Sequence, residues 1–185
     1  AAPLPGLPRP PGTRPTPHRA AYHGPMQLRA FPVEEAALVA SWSTSPLETL
    51  MWCGHRDGPV SAATVAGWST QDGVHTFGLY QGDRLVAYGE AWVDDEAHEV
   101  ELARLIVDPA LRGRGVGRRL VAELTDWALG RYPDIFMRVH PDNTAALRAY
   151  AAAAFEPVPP ELAAEWNAPQ PVAYAWLRFA GRRDA

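Results

Sequence analysis

Apolar side chains recur along this chain in two rhythms, every second residue or every third to fourth, and each change of rhythm marks an element. Met26 to Phe31 reads as a short strand. Val33 to Ser43 reads as a helix with Leu38, Val39 and Trp42 on one face, and Pro32 suits its first turn. Ser45-Pro46 opens a second short helix that carries Leu47, Leu50, Met51 and Trp52 and stops at Gly54. From 55 to 73 the pattern weakens, and only Ala62 to Trp68 suggests a further short helix.

Val74 to Gln81 and Arg84 to Val93 are rich in β-branched and aromatic residues, and the Gly82-Asp83 between them marks a hairpin. Val100 to Val107 follows as a third strand, completing an antiparallel meander. Asp108-Pro109 breaks that strand. The glycine-rich run Arg112 to Gly117 then leads into a helix carrying Val116, Leu120, Val121, Leu124 and Trp127 at helical spacing, with Gly130 as its stop. Ile135 to Val139 reads as a buried strand and Asp142 or Asn143 as the cap of a helix reaching about Ala154. Phe155 to Pro159 and Val172 to Phe179 read as final strands. A meander followed by alternating helices and strands predicts an α/β domain on a mixed sheet.

The chain has 185 residues, 47% hydrophobic and 21% charged, which is ordinary for one globular domain. A domain of this size buries about 70% of the surface its unfolded chain exposes, so it needs no disulfide, and the lone Cys53 could form none internally. No apolar run approaches the roughly 20 residues that span a bilayer, and nothing at the start reads as a secretory signal, so a cytoplasmic protein with no membrane partner is expected. Residues 1–25 differ from the rest: they hold 8 of the 19 prolines, three Arg and no acidic residue. This is a basic, polyproline-like N-terminal extension, expected to precede a domain spanning 26–185. A groove on the domain or a neighbouring chain would order it, a homodimer being one such arrangement.

All 17 basic residues are Arg. Without Lys, Walker-type P-loops and Schiff-base chemistry are excluded. Beyond the extension, 14 Arg face 21 acidic residues, a balance that argues against nucleic acid as a partner and toward a cationic one. No H-E-x-x-H, C-x-x-C or G-x-S-x-G motif is present, which leaves no metal site and no hydrolase nucleophile.

The most informative segment is Leu105 to Leu120. Gly113, Gly115 and Gly117 stand at alternate positions directly after a strand and at the start of a helix, where main-chain amides can approach an anion unobstructed by Cβ. A pyrophosphate suits that site. Hydrogen bonds to charged groups contribute about 1.5 to 3 kcal/mol each against about 0.3 to 1 for the helix-end field, so the loop's amides dominate. A Rossmann reading fails, because the spacing is G-x-G-x-G and the strand Ile135 to His140 ends without the acidic residue that binds a ribose.

The run Arg112-Gly-Arg-Gly115-Val-Gly117 resembles the acyl-CoA pyrophosphate loop of the GNAT superfamily of N-acetyltransferases. Asn143-Thr-Ala-Ala-Leu-Arg-Ala-Tyr150, followed by Phe155, resembles that superfamily's second signature, with Ala154 where many members have Gly. The resemblance implies a mixed, mostly antiparallel central sheet flanked by helices in a single domain. It implies acetyl-CoA held at Arg112, Gly113, Arg114, Gly115, Val116, Gly117 and Arg118, with Asn143 nearby and the basic cluster facing the adenosine phosphate. The pantetheine arm would lie along Leu105, Ile106 and Val107, where an amide, Leu105 foremost, polarises the thioester carbonyl. Tyr150 falls on the family's general acid.

For the base, Glu101 lies where some members carry a catalytic Glu, on one strand face with Glu99 and Ala103. Glu90 and Trp92, on one face of the preceding strand with Tyr88, are candidate acceptor contacts. His140 is a third candidate base, and water chains serve instead in many members. Trp42, Trp52, Trp68 and Trp92 lie in the half where this fold meets its acceptor, one or two of them walling the site. The expected function is transfer of an acetyl group from acetyl-CoA to a primary amine of a small molecule. A peptide or protein N-terminus as acceptor, and a catalytically silent acyl-CoA sensor, stay open as alternatives.

Overall fold

A computed structural model of the protein describes residues 24–181; apart from Gly24 and Pro25, the expected N-terminal extension lies outside the described residues. The alternating runs form one seven-stranded sheet: β1 (Met26–Ala30), β2 (Val74–Gln81), β3 (Arg84–Asp94), β4 (Glu99–Val107), β5 (Asp134–Val139), β6 (Phe155–Pro157) and β7 (Ala175–Phe179), in the order β1-β2-β3-β4-β5-β7-β6. Every pairing is antiparallel except β4 with β5. The mixed sheet expected from the pattern is therefore present, and it is mostly antiparallel, as the family resemblance implied.

Helices cover both faces. On the rear, α4 (Val116–Leu129) lays Leu120, Val121, Leu124 and Ala128 on Val100, Leu102, Ile135 and Met137, and α5 (Thr144–Ala151) adds Leu147 and Tyr150 to the edge of that core. Gly89 lets α4 approach: a Cβ there would stand 2.9 Å from Leu124 Cδ1. On the front, α1 (Ala36–Ala40) and α3 (Ala62–Trp68) close a second core around Val39, Trp42, Val65, Trp68, Tyr88 and Ile106. The α2 helix (Pro46–Cys53) lies beside β4, capped by Ser45 Oγ, which accepts from Glu48 N. A sixth helix, α6 (Pro160–Asn167), sets Trp166 against Phe136 and Trp176.

Three expectations are corrected. The helix read over Val33 to Ser43 is a 3-10 turn at 33–35 followed by five α-helical residues, because Trp42 and Ser43 turn inward to cap the front core. The last two strands are shorter than expected, and α6 occupies residues between them that carried no clear helical rhythm. The α5 helix ends at Ala151 rather than Ala154, since Ala154 turns left-handed at φ +63° to start β6. For a residue with a Cβ that conformation costs about 1 to 2 kcal/mol, which a glycine there would avoid.

Candidate active site

β4 and β5 pair only over Glu99–Glu101 against Asp134–Phe136. Beyond Glu101 they part, and residues 102–107 present toward β5 an edge that no described strand pairs. A β-bulge produces the divergence. Tyr88 pairs with Ile106 and Glu90 with Ala103, so Gly89 opposes two residues, and Arg104 absorbs the extra one at φ +49°. The inserted residue also reverses the alternation: Glu101 and Ala103 face front, whereas Leu105 and Val107 pack into the rear core and Ile106 into the front one.

Side chains hold the bulge from the front. The Arg104 guanidinium lies between the rings of Trp68 and Trp92, 4.3 and 4.8 Å from their centroids, and its carbonyl accepts from Trp52 Nε1 at 2.8 Å. Its Nη1 donates to Glu90 Oε2 at 3.0 Å. Glu90 also accepts from Tyr88 Oη and Trp92 Nε1, both at 2.6 Å, and is fully buried. Burial pushes the Glu90 carboxyl up, against the pull of Arg104 and of the hydrogen bonds it accepts. The expectation that Glu90 touches an acceptor is corrected here: it has no exposed surface, and it acts on the site only by fixing Arg104 and Trp92.

The parted strands leave a slot through the sheet. Met51 and Trp52 line it at the front, the Ala103–Leu105 edge and Val139 at the sides, and Asn143 and Tyr150 at the rear. Asn143 is the α5 cap, accepting from Ala146 N at 3.2 Å. Burial pushes the Tyr150 phenol up to about 12, so it is protonated throughout the neutral range. In front the slot opens into a cleft of about 330 Å³ between α2, β4 and the 170–174 segment.

Glu101 stands in that cleft beside Trp92, Arg138 and Tyr174. Its carboxyl is raised to about 7 by burial, which outweighs the opposing Arg138 charge. Arg138 Nε approaches Oε1 to 2.8 Å as an ion pair, yet from a direction that leaves Oε1 without an aligned hydrogen bond. His140, a candidate base, is buried with Nδ1 accepting from Asp142 N at 3.3 Å, which puts the neutral ring's proton on Nε2. A donor there is the wrong tautomer for a base. Of the four tryptophans, Trp52 and Trp92 wall the cleft, while Trp42 and Trp68 belong to the front core.

Behind the sheet, a cleft of about 470 Å³ runs from Gly115 past Arg118, Arg119 and Thr125 to Ala154. Gly113 and Gly115 adopt φ +73° and +81°, and Gly115 is the N-cap residue of α4, so the loop's conformation requires glycine at both positions. Gly117 lies within the helix. Val116 sends its side chain into the core, leaving only main chain for a ligand. Arg114 and Arg118 are exposed. Thr125 Oγ1 is buried without a partner, a donor available to whatever fills the cleft. Arg112 departs from expectation. It donates to Val107 O at 3.2 Å, Glu48 Oε1 at 2.8 Å and Trp42 O at 2.8 Å, so it ties the loop to α2 rather than facing the cleft.

The profile of the acetyltransferase (GNAT) family matches residues 33–155. The chain belongs to the GNAT family. Among curated relatives it is similar to the N-alpha-acetyltransferase RimI of Mycobacterium tuberculosis, 38% identical over 86 residues, which is 45% of this chain and 53% of that protein. It is also similar to a mycothiol acetyltransferase of Jonesia denitrificans, 36% identical over 49% of this chain and 30% of that one. The chain thus matches about half or less of the length of these relatives. The structure of AAC(6')-Ib with paromomycin and acetyl-CoA shares the fold, with a TM-score of 0.66, 17% identity, and coverage of 86% of this chain and 99% of that one.

The GNAT chain's own features fit an acyl-CoA: a loop of left-handed glycines opening α4, an orphaned hydroxyl in a groove behind it, and a narrow slot along an unpaired strand edge. Arg104, Arg138, Gln170 and Tyr174 were not among the residues singled out from the sequence. No spacing links them to α2 or to the glycine loop, and only the sheet order brings them to one cleft.

Proposed function

We propose that this GNAT protein transfers the acetyl group of acetyl-CoA to a primary amine of a small molecule. The observation that carries the reading is the slot between β4 and β5, because it runs from Asn143 and Tyr150 to the walls of a cleft containing Glu101, sharing Trp52, Ala103 and Arg104 with it. Main-chain groups of 113–118, with Arg118 and Arg119, would hold the diphosphate end, and the 105–107 edge would hold the arm. Acetyl-CoA supplies the acyl group as a thioester.

The chain's residues account for the protons. Glu101, as carboxylate, takes one from the acceptor's ammonium, and the freed nitrogen forms its bond to the carbonyl carbon. The Leu105 amide, on the free edge, donates to the carbonyl oxygen as negative charge gathers there. As the carbon–sulfur bond breaks, Tyr150 gives its phenolic proton to the sulfur and is reprotonated through water by the second proton the nitrogen sheds in becoming an amide, while the proton on Glu101 passes to solvent. Burial raises the phenol, and it also raises the basicity of a thiolate released into the same slot, which favours the transfer.

A panel of amines assayed by free-thiol release tests the reading. Turnover that Tyr150→Phe abolishes while CoA affinity is kept supports it, and tight CoA binding with no turnover on any amine makes the protein a sensor. Resemblance to RimI favours a second acceptor class, the N-terminus of a peptide, which the same panel separates by including short peptides.

A further inference from the structure

Glu101 borders two openings. Besides the acceptor cleft it lines a neighbouring one of about 350 Å³, whose other walls include Glu99, Glu165, Phe136, Trp166 and Trp176. Gln170 is common to both clefts, so the two adjoin around these two side chains. No basic side chain lines the second cleft. Its aromatic wall is a stack of edges and faces, Phe136 to Trp166 at 5.1 Å and 89°, Trp166 to Trp176 at 5.0 Å and 69°. Arg178 and Arg138 already lie over Phe136 and Trp176, at 5.8 and 5.6 Å from their centroids, while no described guanidinium lies over Trp166. Glu101, at the junction, is already ion-paired with Arg138, so Glu99 and Glu165 are the carboxylates the second cleft offers a ligand.

Glu99 and Glu165, which form no ion pair among the described residues, beside the uncovered face of Trp166 form a receptor for an ammonium group. We infer that this cleft is a subsite for the second ammonium of a dicationic or polycationic acceptor whose reacting nitrogen lies in the adjoining cleft at Glu101. The inference rests on the acetyl-transfer reading for the first cleft. Burial and the charges of Asp94 and Asp134 also push the Glu99 carboxyl up, a crowding of negative charge that a bound cation relieves. Glu165 and Trp166, both on α6, then set specificity without touching the reacting atoms.

The test uses the full chain with α,ω-diamines of propane to decane length, each matched to its n-alkylamine, in steady-state kinetics and in calorimetric titration of the CoA-loaded protein. Diamines that span the clefts should show KM about tenfold below their monoamine partners, and Glu165→Gln, on an exposed position, should erase most of that advantage with kcat and monoamine KM unchanged. Trp166→Leu should do the same if the ring supplies a face. Equal KM for diamines and monoamines, or a Glu165→Gln effect common to both, overturns the inference. If no amine is acetylated, the transfer reading fails by itself, and calorimetry still decides the subsite: diamine binding weakened by Glu165→Gln supports it, and no binding overturns it.

Discussion

If Glu101 takes the acceptor's proton, its own ionisation gates the reaction. Burial raises the carboxyl to about 7 from an ordinary value of 4.5, with Arg138 Nε at 2.8 Å opposing the rise. One pH unit below the raised value about a tenth of the carboxyl is ionised, and one unit above about nine-tenths. The kcat/KM for an amine that stays protonated across this range should therefore climb about tenfold from pH 6 to pH 8. Stability runs the other way. The folded chain holds the Glu101 proton more tightly than the unfolded chain, so this group's contribution is complete below about 4.5 and is lost as pH rises through about 7, by up to about 3 kcal/mol. Arg138→Gln removes the charge that favours the carboxylate. At 2.8 Å even water-like screening leaves about 1.5 kcal/mol, so the midpoint of the rate profile should move up by at least about one pH unit. Initial rates by free-thiol release, at constant ionic strength, and melting temperatures on the same samples would read both effects. A profile with no inflexion near neutrality, one unchanged in Glu101→Gln, or one moved to lower pH by Arg138→Gln would refute the assignment of the base.

Tyr150→Phe should lower kcat by about 10² to 10⁴-fold with CoA affinity unchanged, as read by single-turnover rates and calorimetry. Gly115→Ala places a Cβ at φ +81° and should destabilise the fold by about 1 to 2 kcal/mol in urea unfolding, whereas Gly115→Glu should also abolish CoA binding by repulsion of the diphosphate. The converse change, Ala154→Gly, relieves the same strain at φ +63° and should raise stability by up to about 1 kcal/mol. Glu90→Ala removes the buried acceptor of three donors and the counter-charge of half-buried Arg104, and should cost about 3 kcal/mol, with acetyl-CoA KM rising if the bulge relaxes.

Local chemistry made much of this protein legible in its sequence. Gly82-Asp83 announces the hairpin, Ser45 and Asn143 cap the helices they precede, and the alternating glycines after a strand mark a left-handed turn into a helix, because each of these signals acts over a few residues. Periodicity likewise assigned α4 its buried face, since burial of one stripe is what makes a lone helix pack. Arg112 shows the limit of a motif: its place beside the loop suggested a cofactor contact, but which anion or carbonyl a long side chain reaches depends on what folds next to it, here Glu48 and Trp42 of a distant segment. The bulge at Arg104 was invisible for the same reason. Its left-handed turn is held by Glu90, Trp52, Trp68 and Trp92, and strand alternation alone would have placed Leu105 on the wrong face. The sequence by itself determined most of the strands, α4 and the left-handed glycine turn before it; the joining of Glu101 to Arg138, and of Tyr150 to the slot, was decided only when the sheet set residues far apart in the chain side by side, where burial and charge act through space.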